Sequence, residues 1–313
     1  MAASPPERRH RQQLRPGSRP GLLRGDERAA YLLLLPAFLG LALFRVYPIL
    51  AAAAGSLYRQ IFSATGPSTV FVGLGNFAVL LHDPVFWHAL WVTLKLNVIL
   101  NPMQVVLALL LALMVDGRSR AMGAYRVLLL VPIGVSLPVA TILWRLMLDP
   151  NSGFVNALLG FVGLPHQPFY TSSGQALWSI MLIANWKGLS YWMVFVLAGL
   201  QSIPGELLEA AAIDGASGLQ RLFRVTLPLL RRPLTFVLVA DTVINFVMFV
   251  PMYLLTRGGP SGSTNVLMYQ AYKVGFAFGD MGGALAIVTV LLAIILAVVA
   301  VQFRLLEAGR QAW

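Results

Sequence analysis

Pro204-Gly205-Glu206-Leu207-Leu208-Glu209-Ala210-Ala211-Ala212-Ile213-Asp214-Gly215-Ala216-Ser217, continuing to Val225-Thr226-Leu227-Pro228, is a polar elbow set between two long apolar runs. Pro204 suits the start of a helix, where its missing N–H has no partner to lose, and Glu206 and Glu209 put negative charge near the positive end of the helix dipole. Ala210, Ala211 and Ala212 form helix without bulk, and Gly215 can take the left-handed conformation that ends it. Ser217 followed three residues on by Gln220 has the form of a capping box, so a second short helix runs through Arg221 and Leu222 before Pro228 redirects the chain. The stretch therefore predicts two short helices folded at a glycine and lying against a membrane surface.

The flanking runs make the membrane unavoidable. Of the 313 residues 58% are hydrophobic and only 11% charged, with a mean hydropathy of +0.75, whereas soluble domains carry about 25% charge. Six apolar stretches, near 29–57, 88–115, 124–147, 175–201, 233–257 and 282–304, each approach or exceed the ~20 residues that cross ~30 Å of hydrocarbon. The fold class expected is all-α: a polytopic membrane helical bundle with six transmembrane helices. The first stretch is too long for a signal-peptide core and is expected to stay as a span. Within it Arg45 snorkels or meets a partner inside the bundle. Prolines at 102, 132, 138 and 251 are expected to kink spans. Cysteine is absent and the four histidines show no metal spacing, which excludes disulfides and thiolate metal sites.

The net charge of +11 follows the membrane rather than a nucleic acid. Residues 1–28 carry seven arginines and cannot build a core, so they are expected to form a disordered basic cytoplasmic tail, with a short tail at 305–313. With that end inside, sixteen basic residues fall on the cytoplasmic side, and the outer loops and their margins hold only Arg59, Arg145, Arg257 and Lys273. This is the positive-inside distribution. The elbow, spanning 204–224, then faces the cytoplasm.

Glu209-Ala210-Ala211, three residues, Gly215, nine residues, then Val225-Thr226-Leu227-Pro228 resembles the E-A-A motif of the permease subunits of bacterial binding-protein-dependent ABC importers. Phe71-Val72-Gly73-Leu74-Gly75-Asn76-Phe77, Gly153-Phe154-Val155-Asn156, Ala198-Gly199-Leu200-Gln201-Ser202-Ile203-Pro204 and Leu255-Thr256-Arg257-Gly258-Gly259-Pro260 are similar to the carbohydrate-type branch, of the first-partner kind found in maltose, lactose or glycerol-3-phosphate systems. The resemblance covers about residues 29–304. It implies that the elbow is a coupling helix seated on an ATPase subunit, with Glu209, Ala210, Ala211, Asp214, Gly215, Leu227 and Pro228 as the coupling residues. It also implies a second permease subunit, two ATPase subunits, an extracytoplasmic solute-binding protein and residence in the cell membrane of a bacterium.

Carried over from the same resemblance, a substrate pathway is implied at Ala184, Lys187, Gly188, Tyr191, Asp241, Ile244, Asn245 and Met248. Polar groups inside spans are costly and mark function or internal pairing; Lys187 and Asp241 pair with each other, hold the bundle, or meet solute. Lys95 snorkels outward or meets a neighbouring subunit. The Gly- and Asn-bearing loops read as turns and short surface helices. No phosphate loop precedes Lys95, Lys187 or Lys273, so no cofactor is expected here and ATP is bound by the partner. The chain is thus read as the pathway for a sugar or sugar-like solute and not as an enzyme. The rival reading is a self-sufficient ion-coupled carrier, which usually doubles a structural unit.

Overall fold

The computed structural model describes residues 23–63, 66–117 and 119–307. Most of the basic tail, Arg118 and the end of the C-terminal tail lie outside the described residues. The chain separates into two compact units, one up to Ala51 and one from Ala52 onward.

In the first unit α1 (Leu23–Leu41) passes through a π-helical turn, Ala42–Val46, into α2 (Tyr47–Gly55). Helix is therefore already present at Leu23, ahead of the expected span start at 29. The second unit opens with an antiparallel hairpin, β1 (Tyr58–Ser63) and β2 (Gly66–Phe71), in which Tyr58 faces Phe71. This hairpin corrects the all-α expectation to a mostly helical chain. The reading missed it because Tyr58, Ile61, Phe62, Val70 and Phe71 do not alternate along the arms and favour strand only once the two arms pair. Then come α3 (Gly75–His82), α4 (Pro84–Val115), α5 (Arg120–Gly134), α6 (Leu137–Met147), α7 (Phe154–Phe161) and α8 (Ala176–Gln201). The chain continues through α9 (Gly205–Ile213), α10 (Gly218–Arg221), α11 (Leu227–Phe246), α12 (Leu267–Tyr272) and α13 (Met281–Glu307).

Among the described residues four helices are long and apolar enough to cross a membrane: Tyr31–Gly55, α4, α8 and Met281–Leu305. The expected span 124–147 is two helices, α5 and α6, meeting at 100°. The break follows from local chemistry. Pro138 cannot donate to the carbonyl four residues back, at Gly134, and its ring collides with it, so helix stops at Gly134 and restarts beyond Ser136. The expected span 233–257 is likewise interrupted near one of its prolines. α11 starts at Leu227 and ends at Phe246, because Pro251 denies Val247 its partner, and helix resumes only as a π-helical turn at Met252–Thr256.

α4 and α8 form the centre, with α11 packed on both. Leu96, Leu100, Ile180, Met181, Ile183 and Met252 fill one end of this contact, and Ala108, Ala112, Met193, Val196, Leu230 and Val237 the other. A Cβ on Gly199 would stand 2.7 Å from Pro233 Cγ, so the glycine lets α8 and α11 approach closely. Two buried asparagines organise the connections, and both lie in the loops read as short surface helices. Asn76 Nδ2 donates to the carbonyls of Ser56 (2.8 Å) and Tyr58 (2.9 Å). Asn156 Nδ2 donates to those of Pro150 (3.0 Å) and Gln167 (2.9 Å), while its Oδ1 accepts from Gln167 N–H (2.8 Å).

Candidate functional site

A cavity of about 330 Å³ opens between α8, α11, α4 and the α5–α6 bend, lined by Gln104, Ile133, Leu137, Ala184, Lys187, Gly188, Tyr191, Trp192, Asp241, Ile244, Asn245 and Met248. All eight residues implied for the substrate pathway stand on this one wall. α8 supplies Ala184, Lys187, Gly188 and Tyr191 at helical spacing, and α11 supplies Asp241, Ile244 and Asn245, which share its inward face by the same periodicity. Met248 follows just past the end of α11, where the broken helix turns it inward.

Two charges line the cavity, and each is held by something other than its opposite. Lys187 Nζ donates to the backbone carbonyls of Pro132, Ile133 and Val135, at and just past the end of α5. An ammonium at a helix C-terminus also meets the negative end of its dipole. Lys187 therefore fastens the α5–α6 bend to α8. Asp241, 1% exposed, accepts through Oδ1 from Trp192 Nε1 at 2.7 Å, and its Oδ2 is buried with no hydrogen bond. The alternative that Lys187 and Asp241 pair with each other is thus not what the fold adopts.

The neutral polar groups form a continuous set. Asn245 Nδ2 donates to Asn101 Oδ1 (2.8 Å) and Gln104 Oε1 (2.9 Å), and Gln104 Nε2 donates to the Ala184 carbonyl (3.0 Å). Asn101 Nδ2 reaches Thr242 Oγ1 (3.0 Å), which also accepts from Gln302 Nε2 on α13 (2.9 Å). Further along α4, Asn97 Nδ2 donates to the Thr93 carbonyl, and Thr93 Oγ1 accepts from Leu267 N–H on α12. Sequence reasoning missed Gln104, Trp192 and this ladder. The signal was present: Thr93, Asn97 and Asn101 recur every four residues in an otherwise apolar helix, so they share one face. Lys95, on the opposite side of that helix, is exposed. Tyr191 packs against Trp192 and Phe195, with ring centroids 4.8 and 5.1 Å apart, which makes an aromatic wall.

The elbow has the expected local form. Ser217 Oγ accepts from Gln220 N–H (3.3 Å) and Gln220 Oε1 from Ser217 N–H (2.8 Å), completing the capping box of α10. Gly215 stands at φ +79°. Its N–H reaches the Ala212 carbonyl (3.1 Å) and Ala216 N–H the Ala211 carbonyl (3.0 Å), which closes the end of α9 as a Schellman motif. Glu209, Ala210, Asp214, Gly215 and Pro228 are exposed, while Ala211 and Leu227 are half-buried. α9 buries none of its side chains and presents Leu207 and Ile213, the latter 87% exposed. A π-helical turn, Leu222–Thr226, joins the elbow to α11.

Residues 102–310 match the family described as binding-protein-dependent transport system inner membrane component. The sn-glycerol-3-phosphate transport system permease protein UgpA of Agrobacterium fabrum is 37% identical over 278 residues, covering 88% of this chain and 94% of that one. The protein of the same description from Salmonella typhimurium is 36% identical over 279 residues, covering 89% and 94%. A solved bacterial ABC transporter involved in the import of the acidic polysaccharide alginate shares the fold, with a TM-score of 0.77 at 22% identity over 91% of this chain and 96% of that one. The chain belongs to the family of inner-membrane components of binding-protein-dependent transport systems, as the permease subunit of an ABC importer.

Proposed function

We propose that this permease forms part of the pathway for a sugar or sugar-like polyol, in the cell membrane of a bacterium. The observation that carries the reading is the cavity between α8 and α11, where amides, a buried carboxylate and an aromatic wall converge. Its volume lies at the lower end of the ~300–1,000 Å³ usual for small-molecule sites. The ring of Tyr191 can face the apolar side of a sugar, and the unpaired Oδ2 of Asp241 is covered until side-chain rotation brings it to a solute hydroxyl. Lys187, the one cation among the described residues that line the cavity, is engaged with backbone carbonyls.

The same reading gives the chain six crossings with the N-terminus inside, α11 and the turn after it making the fifth. The elbow α9–α10 is the coupling helix. Its exposed face, with Glu209 and Asp214 beside Leu207 and Ile213, suits a cleft on a separate ATPase subunit. Two such subunits, a second permease and an extracytoplasmic solute-binding protein complete the importer, and ATP is bound by the ATPase subunits. The relatives act in sn-glycerol-3-phosphate transport, and the fold is that of an alginate importer. Both descriptions place related proteins with polyhydroxylated solutes.

The decisive experiment reconstitutes the complete importer in vesicles and measures ATP hydrolysis with a panel of loaded binding protein. Stimulation by a sugar or polyol that vanishes in Gly215→Pro, with membrane insertion retained, is the expected result. Solute uptake by this chain alone, driven by a proton gradient, would establish the ion-coupled carrier instead.

A further inference from the structure

Four basic side chains fall on the loops and margins that the charge count places outside, against the positive-inside bias. Two have internal partners. Arg59 Nε donates to Asn76 Oδ1 at 3.0 Å, and Arg145 shares a hydrogen bond with the Tyr170 hydroxyl. The other two, Arg257 and Lys273, converge on one open cavity of about 450 Å³, which they line with Pro84, His88 and the loop Gly258–Gly262. Among the described residues no acid lines it. The nearest acids along the chain serve their own helix ends: Asp83 Oδ1 accepts from Val85 N–H (2.8 Å) and Asp280 Oδ1 from Gly283 N–H (2.9 Å).

Arg257 is exposed and has no hydrogen-bond partner among the described residues, while Lys273 Nζ lies 5.6 Å above the Tyr269 ring. His88 Nε2 stands 3.2 Å from the Gly262 carbonyl, so the proton belongs on that nitrogen. The loop is pressed onto these groups. A Cβ on Gly258 would stand 2.7 Å from the Tyr269 ring, and one on Gly262 would stand 3.3 Å from His88 Nε2. The cavity walls are therefore set by packing, and two cations face the opening with their donors unfilled.

We propose that this outer cavity binds a phosphate group, with Arg257 giving the forked contact and Lys273 a point charge. Arginine suits such an oxyanion because its planar donors match two phosphate oxygens at once. The site shares no lining residue with the cavity between α8 and α11 and does not depend on which solute that cavity carries. The phosphate can come from a lipid headgroup at the membrane surface or from a small solute.

The test is equilibrium binding of radiolabelled inorganic phosphate to the full-length chain in maltoside detergent, which carries no phosphate. Saturable binding is expected, weakened by at least about tenfold in Arg257→Gln with Lys273→Gln, and unchanged in Arg224→Gln on the opposite face. Arg257→Lys, which keeps the charge and loses the fork, should fall between. Adding phosphatidylglycerol to the micelles separates the sources: competition with phosphate identifies a headgroup, and no competition identifies a soluble phosphate. Absence of saturable binding by the native chain, or equal binding by the double variant with its thermal midpoint unchanged, would overturn the proposal.

Discussion

A Cβ on Gly188 would lie 2.2 Å from Gln104 Nε2, so the absence of a side chain on α8 is what lets the Gln104 amide reach the Ala184 carbonyl and Asn245. Gly188→Ala should push that amide aside and leave buried groups unsatisfied, at a cost of about 1–3 kcal/mol. Uptake measured in vesicles should show an apparent KM raised by about tenfold, and a cycle with Gln104→Leu should be strongly non-additive because the two sites touch. Additive effects would mean that the two residues act separately.

Trp192 Nε1 donates at 2.7 Å to Oδ1 of the buried Asp241 carboxylate, whose other oxygen has no hydrogen bond. Trp192→Phe therefore strands a carboxylate, and thermal unfolding of the detergent-solubilised chain should show a loss of about 1–3 kcal/mol. Asp241→Asn keeps an acceptor for the indole and should cost less. The reverse order would show that Asp241 is held by something else.

Lys187→Met removes the donor shared by three carbonyls at the α5–α6 bend. The helix end loses its cation, worth about 0.3–1 kcal/mol at an exposed site and more when partly buried. Spin labels on α5 and α8 should report a broadened distance distribution, with uptake reduced. An unchanged distribution would show that the bend holds itself.

Gly215 sits at φ +79° in the elbow. Gly215→Ala should cost about 1–2 kcal/mol locally, because an L side chain clashes in the left-handed region, whereas Gly215→Asn should be tolerated better. Stimulation of ATP hydrolysis by the loaded binding protein is the measurement. Full stimulation in Gly215→Ala would remove the elbow geometry from the coupling step.

Asp149, in the loop after α6, has its carboxyl held below the usual range by the N–H groups of Ser152 and Asn151 and by the Ser152 hydroxyl. A lowered folded pKa stabilises the loop fully above the unfolded value, and that contribution disappears as pH falls through the folded one. Hydrogen exchange at Ser152, corrected for its intrinsic rate, should thus lose protection only on acidification below the usual carboxylate range, and Asp149→Asn should abolish the pH dependence. Burial first, and then the Asp149 charge, raises the Tyr170 hydroxyl.

The elbow was readable residue by residue because everything that shapes it is local. Ser217 and Gln220 cap each other across three positions, and Gly215 needs no distant partner to turn left-handed. The run of apolar residues likewise announced a membrane bundle whatever its packing. Span ends were less legible: Pro138 and Pro251 signalled kinks, but whether a proline bends a helix or breaks it depends on which neighbours take up the freed carbonyls. At the bend before Pro138, the carbonyls of Pro132, Ile133 and Val135 are met by Lys187, far away in sequence.

The sequence by itself determined the membrane class, the capped elbow and the Gly215 turn, since hydropathy and hydrogen bonds three or four residues apart are properties of the chain alone. Only the tertiary structure decided that Lys187 holds a helix end, that Asp241 belongs to Trp192, and that Gln104 fills the notch at Gly188. Those choices lie between residues 49 to 84 positions apart. The energies of competing polar partners differ too little to be ranked until packing has settled which of them come within reach.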